Sequence, residues 1–325
     1  MSLSFLSFRG NFDQFGNEIN APVVGVVQTE VDESFFKGVN YYSVKDLLPF
    51  LEIESSELSI SSNNKVVIAF NPQGVIYRYD KKQVALDSIK FKSINSRALL
   101  ATKDIFLDKE VEIEMADTKL LADKIDILSN GDILHAVNNV KTLTTDIATN
   151  DQILVNSNNT IYKPKEQFFE YQGNVTGVIK RKRVYEESIN FKTDLLTLNA
   201  PLHLVIMKGN VYLKKDNLDA YANRGEIFLE NYNKKLKYYV LYDDVRLKEV
   251  LADPKNIKKP LIRKAFSEKL EGLISDSKII LTGFPKVFQE QDIIKGNRII
   301  IRENIETVEV DDANTNIILD KKVKE

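Results

Sequence analysis

The chain has 325 residues, of which 43% are apolar and 28% charged, with a formal net charge of −2 and no cysteine. That is the composition of a folded globular protein long enough for one large unit or two ordinary domains. The absence of cysteine excludes disulfides, thiolate zinc sites and thiol catalysis, and the near-zero net charge offers no polybasic surface for nucleic acid.

The first residues, Met1 to Phe8, carry only Leu3, Phe5, Leu6 and Phe8 as apolar anchors and lack the basic start of a signal peptide. No stretch approaches the roughly 18–20 apolar residues of a membrane-spanning helix. Ser43 to Leu51 reads as a short helix interrupted by Pro49, and residues 1–50 as an N-terminal segment. From there period-2 alternation dominates, as in Leu121 to Leu128, Val211-Tyr212-Leu213-Lys214 and Leu236 to Val240. Turn signals punctuate these runs at Ser129-Asn130-Gly131-Asp132, Asn156-Ser157-Asn158-Asn159, Asn231-Tyr232-Asn233 and Lys295-Gly296-Asn297. Leu261 to Leu273 places Leu261, Ile262, Ala265, Phe266, Leu270 and Leu273 at helical spacing, although a loop feeding a strand fits as well. Val287, Ile299, Ile301, Val308, Val310, Ile317 and Leu319 alternate with polar residues to the end of the chain.

A short element recurs: a turn of Asn, Asp or Gly, a valine, then an alternating strand. It appears at Asn138-Asn139-Val140, Gly173-Asn174-Val175, Gly209-Asn210-Val211, Asp243-Asp244-Val245 and Gly283-Phe284-Pro285-Lys286-Val287, with the valines 35, 36, 34 and 42 residues apart. The loop Asp253 to Pro260 reads as an insertion within the longest interval. A unit of this size cannot bury its apolar face alone, whereas stacked neighbours can. The expected fold is all-β, built of repeated antiparallel strand pairs.

The run LVIMKGNVYLKKDNLDAYANRGEIFLENYNKKLKYYVLYDDVRLKE, Leu204 to Glu249, resembles the OstA-like domain of the LptA family of lipopolysaccharide-transport proteins. The run containing KIILTGFPKVFQEQ, within Leu273 to Leu319, is similar to the second half of that domain, although Phe284 and Pro285 stand where the family has Asn and a small residue. Ile105 to Val140 resembles the membrane-anchored LptC family. The likeness covers roughly residues 55 to 320. It implies an LptC-like portion at 51–170 and an LptA-like portion at 171–325, each a twisted antiparallel β-jelly roll, or β-taco, open-ended and with an apolar interior. It further implies a periplasmic, non-enzymatic protein without cofactor that holds the acyl chains of lipopolysaccharide. Partners would be other transport components, joined through unpaired edge strands, which also admit head-to-tail self-association. LptC-like relatives begin with a membrane helix, which this sequence lacks.

Residues expected on the inner wall share strand parity: Val211, Leu213, Ile227, Leu229, Leu236, Tyr238, Val240, Ile279, Leu281, Val287, Ile299, Ile301, Ile317 and Leu319. The same residues suit a solid sandwich core. The basic run Lys180-Arg181-Lys182-Arg183 suits a lipid phosphate at a groove rim, or a solvated loop.

His135 and His203 each fall in an alternating stretch with no second ligand at metal spacing. Asp243-Asp244 and Asp311-Asp312 read as solvated turn residues rather than a calcium site, and no metal or catalytic group is expected. No nucleophile-elbow, P-loop or dinucleotide motif occurs. Two readings compete with the lipid conduit: a structural or adhesion protein with a solid core, and a carbohydrate-active enzyme. The enzyme reading needs two facing carboxylates about 5–10 Å apart, and nothing nominates them.

Overall fold

The computed structural model describes residues 2–8, 33–45, 47–61, 66–79, 84–86, 88–145, 152–180, 188–229, 236–251, 260–273, 276–290, 292–302 and 308–311. Among them the regular structure is β apart from one 3-10 turn at Ser129–Gly131, and the strands pair antiparallel. The chain divides into two compact units: Met1–Thr142 with Asn159–Lys165, and Leu143–Asn158 with Glu166–Glu325.

The first unit is a meander of β1 (Ser2–Phe8), β2 (Glu33–Lys45), β3 (Leu48–Ser61), β4 (Val66–Phe70), β5 (Gln73–Ile76), β6 (Ile89–Lys92), β7 (Asn95–Leu99), β8 (Asp104–Glu114), β9 (Thr118–Leu128) and β10 (Ile133–Thr145). Strands β4 and β5 together follow β3, and β6 and β7 together precede β8, so each strand pairs with its neighbours in sequence. The expected helix over Ser43–Leu51 is instead the end of β2, a tight turn and the start of β3; Leu47 holds a left-handed φ of 67° at that turn. Inward apolar residues such as Ile53, Leu107, Ile113, Leu120 and Ile125 form one core.

In the second unit β12 (Phe168–Lys180), β13 (Ile189–Asn199), β14 (Leu204–Lys215), β15 (Leu218–Leu229), β16 (Leu236–Leu251) and β17 (Leu261–Leu273) follow one another. The meander continues through β18 (Lys278–Thr282) with β19 (Lys286–Gln289), β20 (Asp292–Lys295) with β21 (Arg298–Arg302), and β22 (Val308–Asp311). Strand β11 (Gln152–Lys163) contributes residues to both units. Leu261–Leu273 is a strand, and its burial alternates strictly from Leu261 to Glu268. Leu261 and Ala265 satisfy both periods, which is why helical spacing misled.

The recurrent Asn/Gly/Asp-Val element does not turn the chain between strands. It is a two-residue β-bulge in the middle of every second long strand. Both residues before the valine are left-handed at Asn138-Asn139, Gly173-Asn174, Gly209-Asn210 and Asp243-Asp244, and also at Lys109-Glu110 before Val111; at Gly283-Phe284, between β18 and β19, the left-handed pair precedes Pro285 instead. At each of these places where the register is known the ladder slips. A bulge adds a residue, bends the strand and increases twist. Aligned across neighbours, the bulges make a crease, and the inward residues on both sides of it are buried. The result is the folded-over antiparallel β arrangement that the repeat called for.

The intervening strands supply the complement. The Asn139 Nδ2 donates to Asp123 Oδ2 at 2.7 Å, and Asn210 Nδ2 to Asp194 Oδ2 at 2.8 Å. The Thr193 hydroxyl donates among the carbonyls of Leu195, Lys208 and Gly209 at 2.9–3.1 Å, and Ser267 Oγ reaches the Lys269 carbonyl at 3.0 Å. The two hydroxyls thereby serve carbonyls at the slip, as burial requires, while the Asn–Asp bonds tie the bulged strand to its neighbour. Gly209 is needed twice over: its φ is +77°, and a Cβ there would meet Asp194 Oδ2 at 2.4 Å.

Candidate functional site: the folded apolar face of the second unit

The inward face of the second unit is built by cross-strand pairs of large and absent side chains. Gly177 stands opposite Phe191, and Gly272 opposite Tyr239; an added Cβ would meet those rings at 2.0 and 2.2 Å. Gly225 makes the same room for Met207 and Leu241. The Phe191 and Tyr239 rings lie over the glycines of the neighbouring strands.

Of the expected wall residues, Val211, Leu213, Ile227, Ile279, Leu281, Val287, Ile299 and Ile301 are buried. The register places Ile227 opposite Tyr239, Leu281 opposite Leu270 and Ile299, and Ile279 opposite Ile301. Tyr238 and Val240 depart from the common parity. Tyr239 and Leu241 take the inward positions on β16, because only Gly272 leaves space for the Tyr239 ring. Tyr238 therefore stacks on Phe228 on the opposite face, with ring centroids 4.2 Å apart, and Val240, though buried, lies opposite Glu226 and Glu271. Leu229 and Leu236 pair with each other in the ladder, but their side chains lie outside the described residues, as do Ile317 and Leu319. Lys180 is exposed at the end of β12, and Arg181, Lys182 and Arg183 lie outside the described residues.

The parity of β16 and β17 also carries two charges inward. Glu249 follows Val245 and Leu247 in phase, and Arg263 stands between Leu261 and Ala265. Both side chains are 0% exposed, and Arg263 Nη1 donates to Glu249 Oε2 at 2.9 Å. Arg263 Nε donates to Gln289 Oε1 at 3.1 Å. Leu218, Glu249, Arg263 and Gln289 form one cross-strand row. The apolar face thus gives way to a polar layer near the ends of β16 and β17. Pattern reasoning passed over these two residues, although their phase with Leu247, Leu261 and Ala265 marked them as inward.

Outward, the sheet is polar and aromatic. Tyr242 accepts the Arg224 guanidinium over its ring at 4.2 Å and donates to Glu226 Oε2 at 3.3 Å; burial first, then the Glu226 charge, raises its phenol pKa. Tyr212 donates to Asp219 Oδ1 at 2.6 Å, and that bond chiefly, with burial, pushes its pKa up to about 12. Asp243 and Asp244 sit in the β16 bulge, with Asp244 held by Arg246, and Asp311 faces Arg298 at 3.4 Å; Asp312 lies outside the described residues. His135 is on β10 as expected, but His203 lies in the β13–β14 connection with a φ of 51°, not in a strand. Among the described residues no group of three or more His, Asp or Glu could hold a metal. Nor is any helix among them long and apolar enough to cross a membrane.

Comparison with known proteins follows this geometry. Residues 190–307, which span β13 to β21, match the family model described as LptA/(LptD N-terminal domain) LPS transport protein. Proteins of that family transport and bind; they are not enzymes. A search of curated proteins finds no match to the chain. Among solved structures, the chain is similar to LptH of Pseudomonas aeruginosa, described as the LptA homologous periplasmic component of the lipopolysaccharide transport device. That similarity is 12% identity and a TM-score of 0.36, over 40% of this chain and 95% of LptH.

Proposed function

We propose, from the match of residues 190–307 to the lipopolysaccharide-transport family model, that this protein shields the acyl chains of lipopolysaccharide against the inward face of the second unit and hands them on in the periplasm. The observation that supports it most directly is the segregation of side chains within the matched residues. Apolar groups occupy the inner face from β12 to β21, and charges are confined to the outside and to the Glu249–Arg263 layer.

The energetics suit a conduit. Removing a methylene from water yields about 0.8 kcal/mol, so a chain of a dozen carbons gains on the order of 10 kcal/mol. The chain has that same gain in a bilayer, so transfer between the two is near neutral and net movement is driven elsewhere. Ile279, Leu281, Ile299 and Ile301 have no accessible surface, so loading requires the two sides of the crease to part. We place the upstream residues 51–170 in the same pathway as an LptC-like portion, because Lys109-Glu110-Val111 and Asn138-Asn139-Val140 repeat the crease device of the matched domain. Edge strands would join other transport components by strand addition.

The closed packing favours one other reading, a structural protein with a solid core. Photo-crosslinking separates them. A photoreactive residue at Ile227 faces inward, and one at Tyr238 faces outward from the neighbouring strand. In protein purified from a lipopolysaccharide-producing host, the conduit requires lipid adducts at Ile227 and few at Tyr238. Equal labelling, or none at either position in folded protein, would establish the solid core.

A further inference from the structure

The outward face of β13 to β19 carries a second constellation. Straight across the register, Lys192 stands opposite Tyr212, Tyr212 opposite Tyr221, Tyr221 opposite Arg246, Arg246 opposite Phe266, and Phe266 opposite Lys286. The parallel row two residues along places Lys248 between Asp219 and Lys264. Together they line a groove of about 880 Å³ that includes Lys192, Tyr212, Tyr221, Arg246, Lys264 and Phe266.

Cross-strand aromatic and charge pairs stabilise sheets by themselves, and part of this row does so. Tyr212 packs at a tilt against Tyr221, ring centroids 4.8 Å apart, and is fixed by Asp219, while Asp244 neutralises Arg246. Those contacts leave much of the row open. Tyr221, despite Tyr212, and Phe266, which meets Phe288 edge-on at 5.8 Å, remain 49% and 41% exposed. Lys192, Lys248 and Lys264 form no ion pair among the described residues, because the nearby acids Asp219 and Asp244 are already engaged. Two open rings and three uncompensated ammonium groups therefore share one groove in a chain whose net charge is −2.

Exposed rings offer flat apolar faces to the C–H faces of sugars, and ammonium groups hold phosphate as point charges. Tyr221 on β15 and Phe266 on β17 are two strands apart, roughly 10 Å, about the reach of a disaccharide. We propose that this groove binds a phosphate-bearing saccharide presented to the outer face of the sheet. Tyr221 and Phe266 carry the sugar rings, and Lys192, Lys248 and Lys264 carry the phosphates.

The test is calorimetric titration of the full chain, at low salt, with a bisphosphorylated glucosamine disaccharide stripped of all acyl chains. Binding is expected, weakened about tenfold or more by K248E/K264E, by Y221A/F266A and by removal of the phosphates, and reduced by added salt. All four positions are on the outer face, so melting temperatures should stay near that of the parent, and a variant that melts early is replaced by K248Q/K264Q. Absence of binding at millimolar saccharide would overturn the proposal. So would unchanged affinity in both folded double variants, or tighter binding of poly-glutamate, which would make the groove a docking face for acidic protein. Because the probe has no acyl chain, its binding does not depend on lipid loading, and an empty interior in the crosslinking experiment leaves this result intact.

Discussion

Replacing Arg263 by Met should unfold the second unit more than the loss of one ion pair at a surface would suggest. Both members of the Arg263–Glu249 pair have no exposed surface, and the guanidinium also donates to Gln289. Removing the cation takes the paired charge away from a carboxylate with no exposed surface, in a layer bounded by Leu218, Leu251 and Leu261. Breaking a buried pair from one side costs about 3–5 kcal/mol, whereas replacing both members with apolar groups of similar volume is often neutral. For a unit of this size that single loss corresponds to a melting shift of roughly 6–20 °C. The assay is urea unfolding of the parent, R263M, E249L and R263M/E249L, followed by circular dichroism. Each single variant should lose about 3 kcal/mol or more, and the double variant should recover most of it. A single variant within about 1 kcal/mol of the parent, or a double variant no better than the singles, would refute the account of a dry, mutually dependent pair.

The other predictions concern the crease, the inner face and the outer ladder. G209A puts a Cβ in the left-handed region and against Asp194, and should cost about 2–3 kcal/mol, one part backbone and one part the weakened Asn210–Asp194 bond; chemical denaturation measures it, and a loss below about 0.5 kcal/mol contradicts the bulge geometry. G272A forces the Tyr239 ring to move and should cost about 1–3 kcal/mol by overpacking, recovered in part by G272A/Y239L. Tyr212 has a folded-state pKa pushed to about 12, above its usual 10.0, so its contribution is complete below pH 10 and fades as pH rises towards 12. Y212F should flatten the stability profile in that window and nowhere else, as read by melting temperature against pH.

The sequence made the strands and the repeat legible, because alternation and the Asn/Gly/Asp-Val spacing are local. It did not distinguish a bulge from a turn. Two left-handed residues serve either, and only the cross-strand register decides. The corner at Lys109-Glu110-Val111 had no Asn, Asp or Gly to announce it, so tertiary pairing must hold those residues at positive φ. The bulged strands keep their parity through the crease, as Met207 and Val211 do, but the unbulged strands between them reverse it, from Ala220 and Ala222 to Ile227, so on those strands an inward face counted on one side of the crease cannot be carried to the other. On β16 the run Tyr238-Tyr239-Val240-Leu241 has no alternation to count. The decision that Tyr239 and not Tyr238 turns inward comes from Gly272, thirty-odd residues later on the next strand. Glu249 and Arg263 were legible by phase, but charge led away from that inference.

The consecutive pairing of strands has a consequence for how the chain is made and how it varies. Each strand meets its partner within a few tens of residues, so contact order stays low for an all-β protein, and any hairpin can seed growth in both directions. Such a ladder is approximately a one-dimensional array, whose stability is a sum over neighbours. A bulged strand and its unbulged partner form the smallest increment that keeps the crease aligned and the inward parity intact. Length can therefore change by two strands at a time, while an odd insertion would break the crease at the point of insertion.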